Sequence, residues 1–372
     1  MKVIIAAAGT GGHINPGIAI ANIIEEEYPN SDIRFIATGK KLEEDLIHNA
    51  GFKSYAIHAN GFSKKLSIEN IKKNINTIKG FKEAKNILKE FKPDIVIGTG
   101  GYICGAVISE AKKLGIPTLL HESNAYPGLA IRLLSKKADT ILVGIEKAKE
   151  SLNKAKRVVY TGTPTKVKPL NLTKTDKKRI LKELGIDDKL PIVLVFGGSQ
   201  GAKKINDCIL EIIKNSMNLD YQIVWSTGSI QYDIIKDELK NEGFDISKIK
   251  NTKILPYIYN MDEVMSVSDL IVSRSGALTL TELALLGKPA IFIPLPSSSA
   301  NRQEDNAKVF KQAGAAEIIL NNEVEKDKLN NMIKQIVLDK EKLEKMSLSS
   351  KKLAVLNVNE RILNEIKKLL DK

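Results

Sequence analysis

The stretch Ile271-Val272-Ser273-Arg274-Ser275-Gly276-Ala277-Leu278-Thr279-Leu280-Thr281-Glu282 runs on through an apolar helix into Lys288-Pro289-Ala290-Ile291-Phe292-Ile293-Pro294. It then opens a polar segment, Asn301-Arg302-Gln303-Glu304-Asp305-Asn306-Ala307. The order is strand, small-residue turn, helix, strand, polar loop, helix, which is the unit of an α/β fold with a parallel sheet. Ser275, Gly276 and Ala277 carry little side chain, so a phosphate can reach the free N–H groups at the start of the helix that follows. Glu282 lies about a turn and a half further on, where its carboxylate suits a ribose diol. Gln303 both donates and accepts, as sugar hydroxyls require. The same residues also suit an ordinary βαβ unit in which Gly276 only fits helix to strand, so the stretch needs support from the rest of the chain.

Working outward, the same plan recurs. Lys2–Ala8 is a continuous apolar run, the type buried on both faces of a parallel sheet, and it leads into Gly9-Thr10-Gly11-Gly12-His13 and a helix to about Glu27. The glycine spacing is not the dinucleotide fingerprint, which argues against an oxidoreductase. His13 falls at the carboxyl end of the first strand, where open α/β sheets place their ligands, and an imidazole there suits a general base. Its alternative reading is a helix-cap histidine. Strands are expected at Asp32–Thr38, Ser54–His58 and Asp94–Gly98, the last entering Gly98-Thr99-Gly100-Gly101-Tyr102. Another, Pro117–His121, enters Glu122-Ser123-Asn124. Loops around His13, Gly100 and Asn124 are therefore expected at one end of one sheet. His58 reads as structural.

Residues 163–190 read as a crossover containing a charged helix, Lys174–Leu184. The opening theme then returns: Pro191–Phe196 is a buried strand, and Gly197-Gly198-Ser199-Gln200-Gly201-Ala202 is a second glycine turn into a helix. The chain is thus two strand–glycine turn–helix domains in tandem, similar in plan but not a sequence repeat. Residues 325–346 read as one lysine-rich helix interrupted by Ser347–Ser350, and a last amphipathic helix of about 350–372 is expected to pack back on the first domain.

With 372 residues the chain suits two domains, and its 43% hydrophobic and 27% charged content is that of a globular protein. No apolar run is long enough to span a bilayer. Cys104 and Cys208 have no metal-ligand spacing and read as buried thiols. A formal net charge of +13 calls for an anionic partner or a solvated lysine bias. No nucleic-acid motif is present and aromatic residues are only 5%, so stacking platforms for nucleic acid are not expected. Within residues 62–92, nine lysines face three glutamates, and Ile68, Ile71, Ile75, Ile78 and Phe81 recur at helical spacing. This suits either a core-facing helix with a lysine face or a contact with an anionic membrane surface through residues about 68–92.

Taken in order over nearly the whole chain, Gly9–His13, Gly100-Gly101-Tyr102, His121–Asn124, Gly197–Ala202, Arg274–Ala277, Gln303 and Asn306-Ala307 resemble the GT-B glycosyltransferases, two Rossmann-like domains facing a cleft. Among these the motifs are similar to the MurG family of bacterial cell-wall enzymes, which move GlcNAc from UDP-GlcNAc to lipid I and so make lipid II. The resemblance implies an acceptor- and membrane-binding domain over 1–163, with the tail helix, and a UDP-GlcNAc-binding domain over 164–349. It implies that Thr10, Gly11, Gly12 and Asn124 lie near the donor sugar, acceptor or diphosphate, and that Ser199 and Gln200 contact the diphosphate and sugar. Ile258 would hold the uracil through its backbone. Ser275 and Gly276 with Ala277, Leu278, Thr279, Leu280, Thr281 and Glu282 would bind the nucleotide, and Gln303 the GlcNAc hydroxyls. His13 would be the base for the C4 hydroxyl of the MurNAc acceptor. The family inverts the anomeric centre, needs no metal or other cofactor, and works at the cytoplasmic face of the membrane. One departure is Gly162-Thr163-Pro164-Thr165-Lys166, where the family has Gly-Asn-Pro and then an arginine: Lys166 keeps the charge and loses the two-pronged fork. A related transferase on another polyprenyl-linked acceptor, and a non-catalytic subunit that binds nucleotide sugar, are the alternatives. An epimerase or hydrolase would need a pair of acid and base carboxylates that the cleft loops do not supply.

Overall fold

The computed structural model describes residues 1–59, 68–170, 172–198, 200–296 and 301–371; the side chains of residues 68–76 and of Ser247 also lie outside the description. The chain divides into two compact units, Met1–Lys166 with Val355–Lys372, and Val167–Ala354.

Among the described residues, unit 1 holds β1 (Lys2–Ala7), β2 (Asp32–Ala37), β3 (Lys53–Ala56), β4 (Ile95–Gly100), β5 (Thr118–Glu122), β6 (Thr140–Val143) and β7 (Val158–Tyr160). They form one parallel sheet in the order β3-β2-β1-β4-β5-β6-β7. Its helices are α1 (Gly11–Glu27), α2 (Lys41–Asn49), α3 (Ile68–Phe91), α4 (Ile103–Lys113) and α5 (Leu129–Leu134). The reason β1 is apolar throughout is visible in the packing. Ile4 and Ala6 join one buried cluster, and Val3, Ile5 and Ala7 join another on the opposite face. Successive side chains of a strand point to opposite faces, so a strand covered on both sides has no polar positions to spare.

Unit 2 repeats the plan with β8 (Ile192–Phe196), β9 (Gln222–Ser226), β10 (Thr252–Leu255), β11 (Leu270–Ser273), β12 (Ala290–Phe292) and β13 (Ala316–Ile318), all parallel in the order β10-β9-β8-β11-β12-β13. Its helices are α6 (Lys174–Leu184), α7 (Lys203–Lys214), α8 (Ser229–Asn241), α9 (Met261–Val267), α10 (Ala277–Leu286), α11 (Arg302–Gln312), α12 (Lys326–Val337) and α13 (Lys340–Lys352). The chain then returns to unit 1 as α14 (Val358–Leu370). Ile362, Ile366 and Leu369 of α14 enter the same buried cluster as Ile20 and Ile24 of α1, each contributing about 1.5–3 kcal/mol. The Arg157 guanidinium clamps the Glu365 carboxylate with two bonds of 2.8 and 3.0 Å.

Three expectations are corrected. The third strand is Lys53–Ala56 rather than Ser54–His58; the His58 backbone leaves the sheet because its N–H donates to the Glu83 carboxylate instead. The lysine-rich helix of residues 325–346 is two helices, divided at Leu338-Asp339, where Asp339 caps α13 by accepting from the Lys342 N–H at 3.0 Å. Ser347–Ser350 do not interrupt it: Ser347 Oγ donates to the Gly287 carbonyl and Ser350 Oγ to the Leu283 carbonyl, so the hydroxyls are satisfied without breaking the helix. The last helix accordingly begins at Val358, and residues 350–352 belong to α13.

Candidate active site

In each unit the sheet order reverses between two central strands, β1 and β4 in unit 1 and β8 and β11 in unit 2. The crevice outside the carboxyl ends of such a strand pair is where open α/β sheets take ligands. The turns after β1, β4 and β8 are glycine-rich, and the one after β11 is the small-residue turn Arg274-Ser275-Gly276.

In unit 1, Gly9 (φ +105°) turns the chain out of β1. Thr10 stands at the N-cap of α1 without a side-chain cap bond, so the N–H groups at Gly11 and Gly12 begin the helix with no hydroxyl or carboxylate of the cap across them. Thr10 and Gly12 are exposed and His13 half-buried. The β4 turn holds His13 in place. Thr99 Oγ1 donates to the His13 carbonyl at 2.7 Å. The imidazole lies directly over Gly100 (φ +127°), where an added Cβ would come within 2.2 Å of His13 Nδ1. At Gly101 (φ +84°) an added Cβ would come within 2.6 Å of the Ala8 carbonyl oxygen. Gly100 is therefore glycine for two reasons, its backbone angle and the ring above it. The β5 turn is fixed by Glu122, which is 4% exposed and whose carboxylate accepts from the Asn124 backbone N–H and side-chain amide, both at 2.9 Å, and from the Gly128 N–H at 2.7 Å. Behind it His121 is fully buried, and burial holds its pKa below the ordinary histidine value; its ring bonds to the Gly162 carbonyl at 3.2 Å. Lys166 is exposed.

In unit 2, α10 begins at Gly276, also without a side-chain cap bond. Ala277, Leu280, Leu283 and Ala284 form its buried face, so Leu280 serves the core with its side chain, while Leu278, Thr279, Thr281 and Glu282 lie on the half-exposed face. Ser275 is fully buried, and its hydroxyl donates to the Gln303 carbonyl at 2.7 Å. Asn306 Nδ2 returns a bond to the Ser275 carbonyl at 3.1 Å. The Gln303 side-chain oxygen accepts from the Leu295 N–H at 2.9 Å. Gln303 is thus brought to the α10 start by a closed set of bonds, in which Ser275 acts as a fastening. Arg274 secures the same corner: Nη1 donates to the carbonyls of Ile293 and Pro294 and to Asn321 Oδ1, while Nε is buried with no hydrogen-bond partner. Desolvation pulls its pKa below the ordinary arginine value. The helix that follows the β8 turn, α7, is tied to the end of β9 by Asn206, which donates to the Thr227 carbonyl at 2.8 Å and accepts from Trp225 Nε1 at 3.0 Å. Gln200 on that turn is exposed, and Ser199 lies outside the described residues. Ile258 is buried between Tyr257 and Tyr259, which is 92% exposed. No cluster of three or more potential metal ligands occurs among the described residues.

Sequence reasoning did not reach Glu43, Glu122 or Arg274 as organisers of these turns. The only signal at Glu43 is its position four residues before the buried Ile47, on the inward face of α2.

Two all-parallel units in tandem, each with an open helix start at its switch point, give the GT-B fold, and the family matches make the chain a glycosyltransferase of that class. Residues 3–143 match the glycosyltransferase family 28 N-terminal domain and residues 192–362 the family 28 C-terminal domain. The chain belongs to the MurG family within glycosyltransferase family 28. It is 39% identical over 371 residues to a protein of Acetivibrio thermocellus named UDP-N-acetylglucosamine--N-acetylmuramyl-(pentapeptide) pyrophosphoryl-undecaprenol N-acetylglucosamine transferase, covering 100% of this chain and 98% of the relative. A relative of the same name from Desulforamulus reducens is 40% identical over 371 residues, covering 100% and 99%. The crystal structure of Acinetobacter baumannii MurG superposes with a TM-score of 0.76 at 27% identity, covering 99% of this chain and 100% of that one. A UDP-GlcNAc 2-epimerase from Neisseria meningitidis shares the fold at 19% identity with a TM-score of 0.65.

Proposed function

We propose that this chain is an inverting N-acetylglucosaminyltransferase that moves GlcNAc from UDP-GlcNAc to the C4 hydroxyl of the MurNAc residue of lipid I, yielding lipid II and UDP. The observation that carries the reading is the end-to-end match, at about two residues in five, to transferases named for that reaction. In this reading unit 2 takes the nucleotide sugar. The diphosphate lies at the α10 start, Glu282 accepts from the ribose hydroxyls, and the Ile258 backbone meets the uracil. Ser199, Gln200 and Gln303 face the diphosphate and sugar. Gln303 already spends its side-chain oxygen on Leu295, which leaves its NH2 group to donate to a sugar oxygen. Unit 1 takes the acceptor beside His13, with Thr10, Gly11, Gly12 and Asn124 lining its turns, and Lys166 adds a positive charge for the donor.

The chemistry is one displacement. His13 takes the C4 hydroxyl proton as the oxygen attacks the anomeric carbon, the bond from that carbon to the UDP oxygen breaks, and the configuration inverts. Fixed amides at a helix start stabilise the negative charge that develops on leaving UDP, without a metal ion. The enzyme works at the cytoplasmic membrane face, with α3 toward anionic lipid: Ile78 is 68% exposed, and Lys79, Lys82 and Lys85 are exposed along the same helix. Phe81 is partly buried against the core, and the Ile75 side chain and residues 62–67 lie outside the described residues. Among the described residues no helix is long and apolar enough to cross a membrane. The decisive assay mixes the protein with labelled UDP-GlcNAc and a short-chain lipid I analogue. Label is expected to move to the lipid; UDP-GlcNAc binding without transfer would instead indicate a non-catalytic subunit.

A further inference from the structure

Glu43, in the first turn of α2, is 0% exposed. Its Oε1 accepts from the Gly9 N–H at 2.7 Å, and its Oε2 accepts from the Thr38 N–H and the Thr38 hydroxyl, each at 2.7 Å. Packing alone would put an aliphatic residue here, as it does at Ile47 on the same face, because a carboxylate taken out of water is costly unless its oxygens are bonded. All three donors come from the turns after β1 and β2.

We propose that Glu43 is a positioning residue for the acceptor, acting through the Gly9 turn; this rests on the reading of unit 1 as the acceptor side. A glycine turn has wide conformational freedom, and Gly9 (φ +105°) is the joint between β1 and α1. The Thr10 carbonyl accepts from the His13 N–H at 2.9 Å and the Ile14 N–H at 3.2 Å, so where Gly9 is pinned decides where the first turn of α1 sits. Glu43 pins it from α2, and Thr99 holds the His13 carbonyl from β4. The imidazole is placed between these two anchors. Glu43 touches no substrate; its effect is to fix His13 and the open amides at Gly11 and Gly12.

Three variants test this in the full chain. Glu43→Met keeps the length and removes both acceptors. Glu43→Gln can keep its oxygen on Gly9, but its NH2 group then faces the Thr38 N–H donor to donor, so it restores the Gly9 bond and loses the Thr38 amide bond. Thr38→Val loses only the hydroxyl bond. In Glu43→Met, amide exchange over Gly9–Ile14 is expected to quicken about tenfold or more while unit 2 is unchanged. In the same variant kcat/KM for the lipid acceptor is expected to fall about ten- to hundredfold, as for a displaced catalytic group, with UDP affinity within about twofold of the parent. Thr38→Val is expected to stay close to the parent in both readouts, and Glu43→Gln to lie between the parent and Glu43→Met. Unchanged exchange over Gly9–Ile14 in folded Glu43→Met overturns the proposal, as does a loss of UDP affinity as large as the loss of acceptor efficiency. If Glu43→Met does not fold, the parent protein decides: a Gly9 amide exchanging as fast as an unbonded one overturns the proposal, and a protected one supports it. If the parent transfers nothing to lipid I analogues, the functional reading fails, and the exchange measurement still judges Glu43.

Discussion

His13 owes its place to a neighbour with no side chain. The ring rests on Gly100, and a methyl group there would meet Nδ1 at 2.2 Å from a backbone angle that side chains rarely adopt. His13→Ala is expected to lower kcat by about 10²- to 10⁴-fold, the range of general base catalysis, and Gly100→Ala to produce the same phenotype by pushing the ring aside. Isothermal titration with UDP should give parent-like affinity for both if, as proposed, the nucleotide is taken by unit 2. A variant of either kind with full turnover would remove His13 as the base. Glu282→Ala is the complementary case. It is expected to weaken UDP binding by about tenfold or more, from loss of a hydrogen bond to a charged group worth about 1.5–3 kcal/mol; a change in kcat with unaltered UDP affinity would contradict the ribose contact. At this scale the sequence was legible where a residue type has few uses. Three glycines before a histidine at a strand end say that something approaches the backbone. Glu43 was not legible, because the partners of its carboxylate are turn amides, one of them 34 positions away, and no pattern of residue types announces them. Ser275 was legible only in part: its small size marks the turn, but its hydroxyl faces the Gln303 carbonyl.

At the scale of elements, the strands were readable because burial on both faces leaves an uninterrupted apolar run, and the starts of α1 and α10 because glycine precedes them. The charged helix Lys174–Leu184 stands at those bounds as α6, where Thr173 accepts from the Asp176 N–H and the Asp176 carboxylate accepts from the Thr173 N–H in return. The division between α12 and α13 was not readable. Four residues of which three are serine resemble a break, yet two of the hydroxyls are satisfied by carbonyls at the end of α10. Tertiary contacts thus removed the usual competition of serine with the helix backbone. In α3 the apolar stripe divides between two tasks. Ala84, Leu88 and Phe91 join the core, whereas Ile78 stands 68% exposed among lysines. Ile78→Ser is expected to reduce binding to vesicles containing anionic lipid while leaving the melting temperature unchanged, since no core contact is lost; vesicle co-sedimentation equal to the parent would remove α3 as the membrane face.

At the scale of the molecule, unit 1 depends on a segment encoded far from the rest of it. Hydrogen bonding from Arg157 holds the Glu365 carboxyl below the ordinary value of 4.5, against the opposing effect of burial. The unfolded chain therefore takes up that proton more readily than the folded one. The pair adds stability above pH about 4.5 and loses it as the pH falls through the lower folded-state value. Glu365→Gln is expected to lower stability at pH 7 and to flatten the acid limb of the stability profile; urea unfolding monitored from pH 3 to 7 checks it, and a profile parallel to the parent would show the pair to be idle.

That dependence sets an order on the ribosome. The first sheet is translated by residue 160, but the apolar face of α1 that α14 covers stays bare until Val358–Leu370 is made, after all of unit 2. A nonsense codon just upstream of α14 would thus injure the earliest-made half of the protein and spare the later one. Nascent unit 1 is the part that chaperones would have to shelter for most of the chain's synthesis.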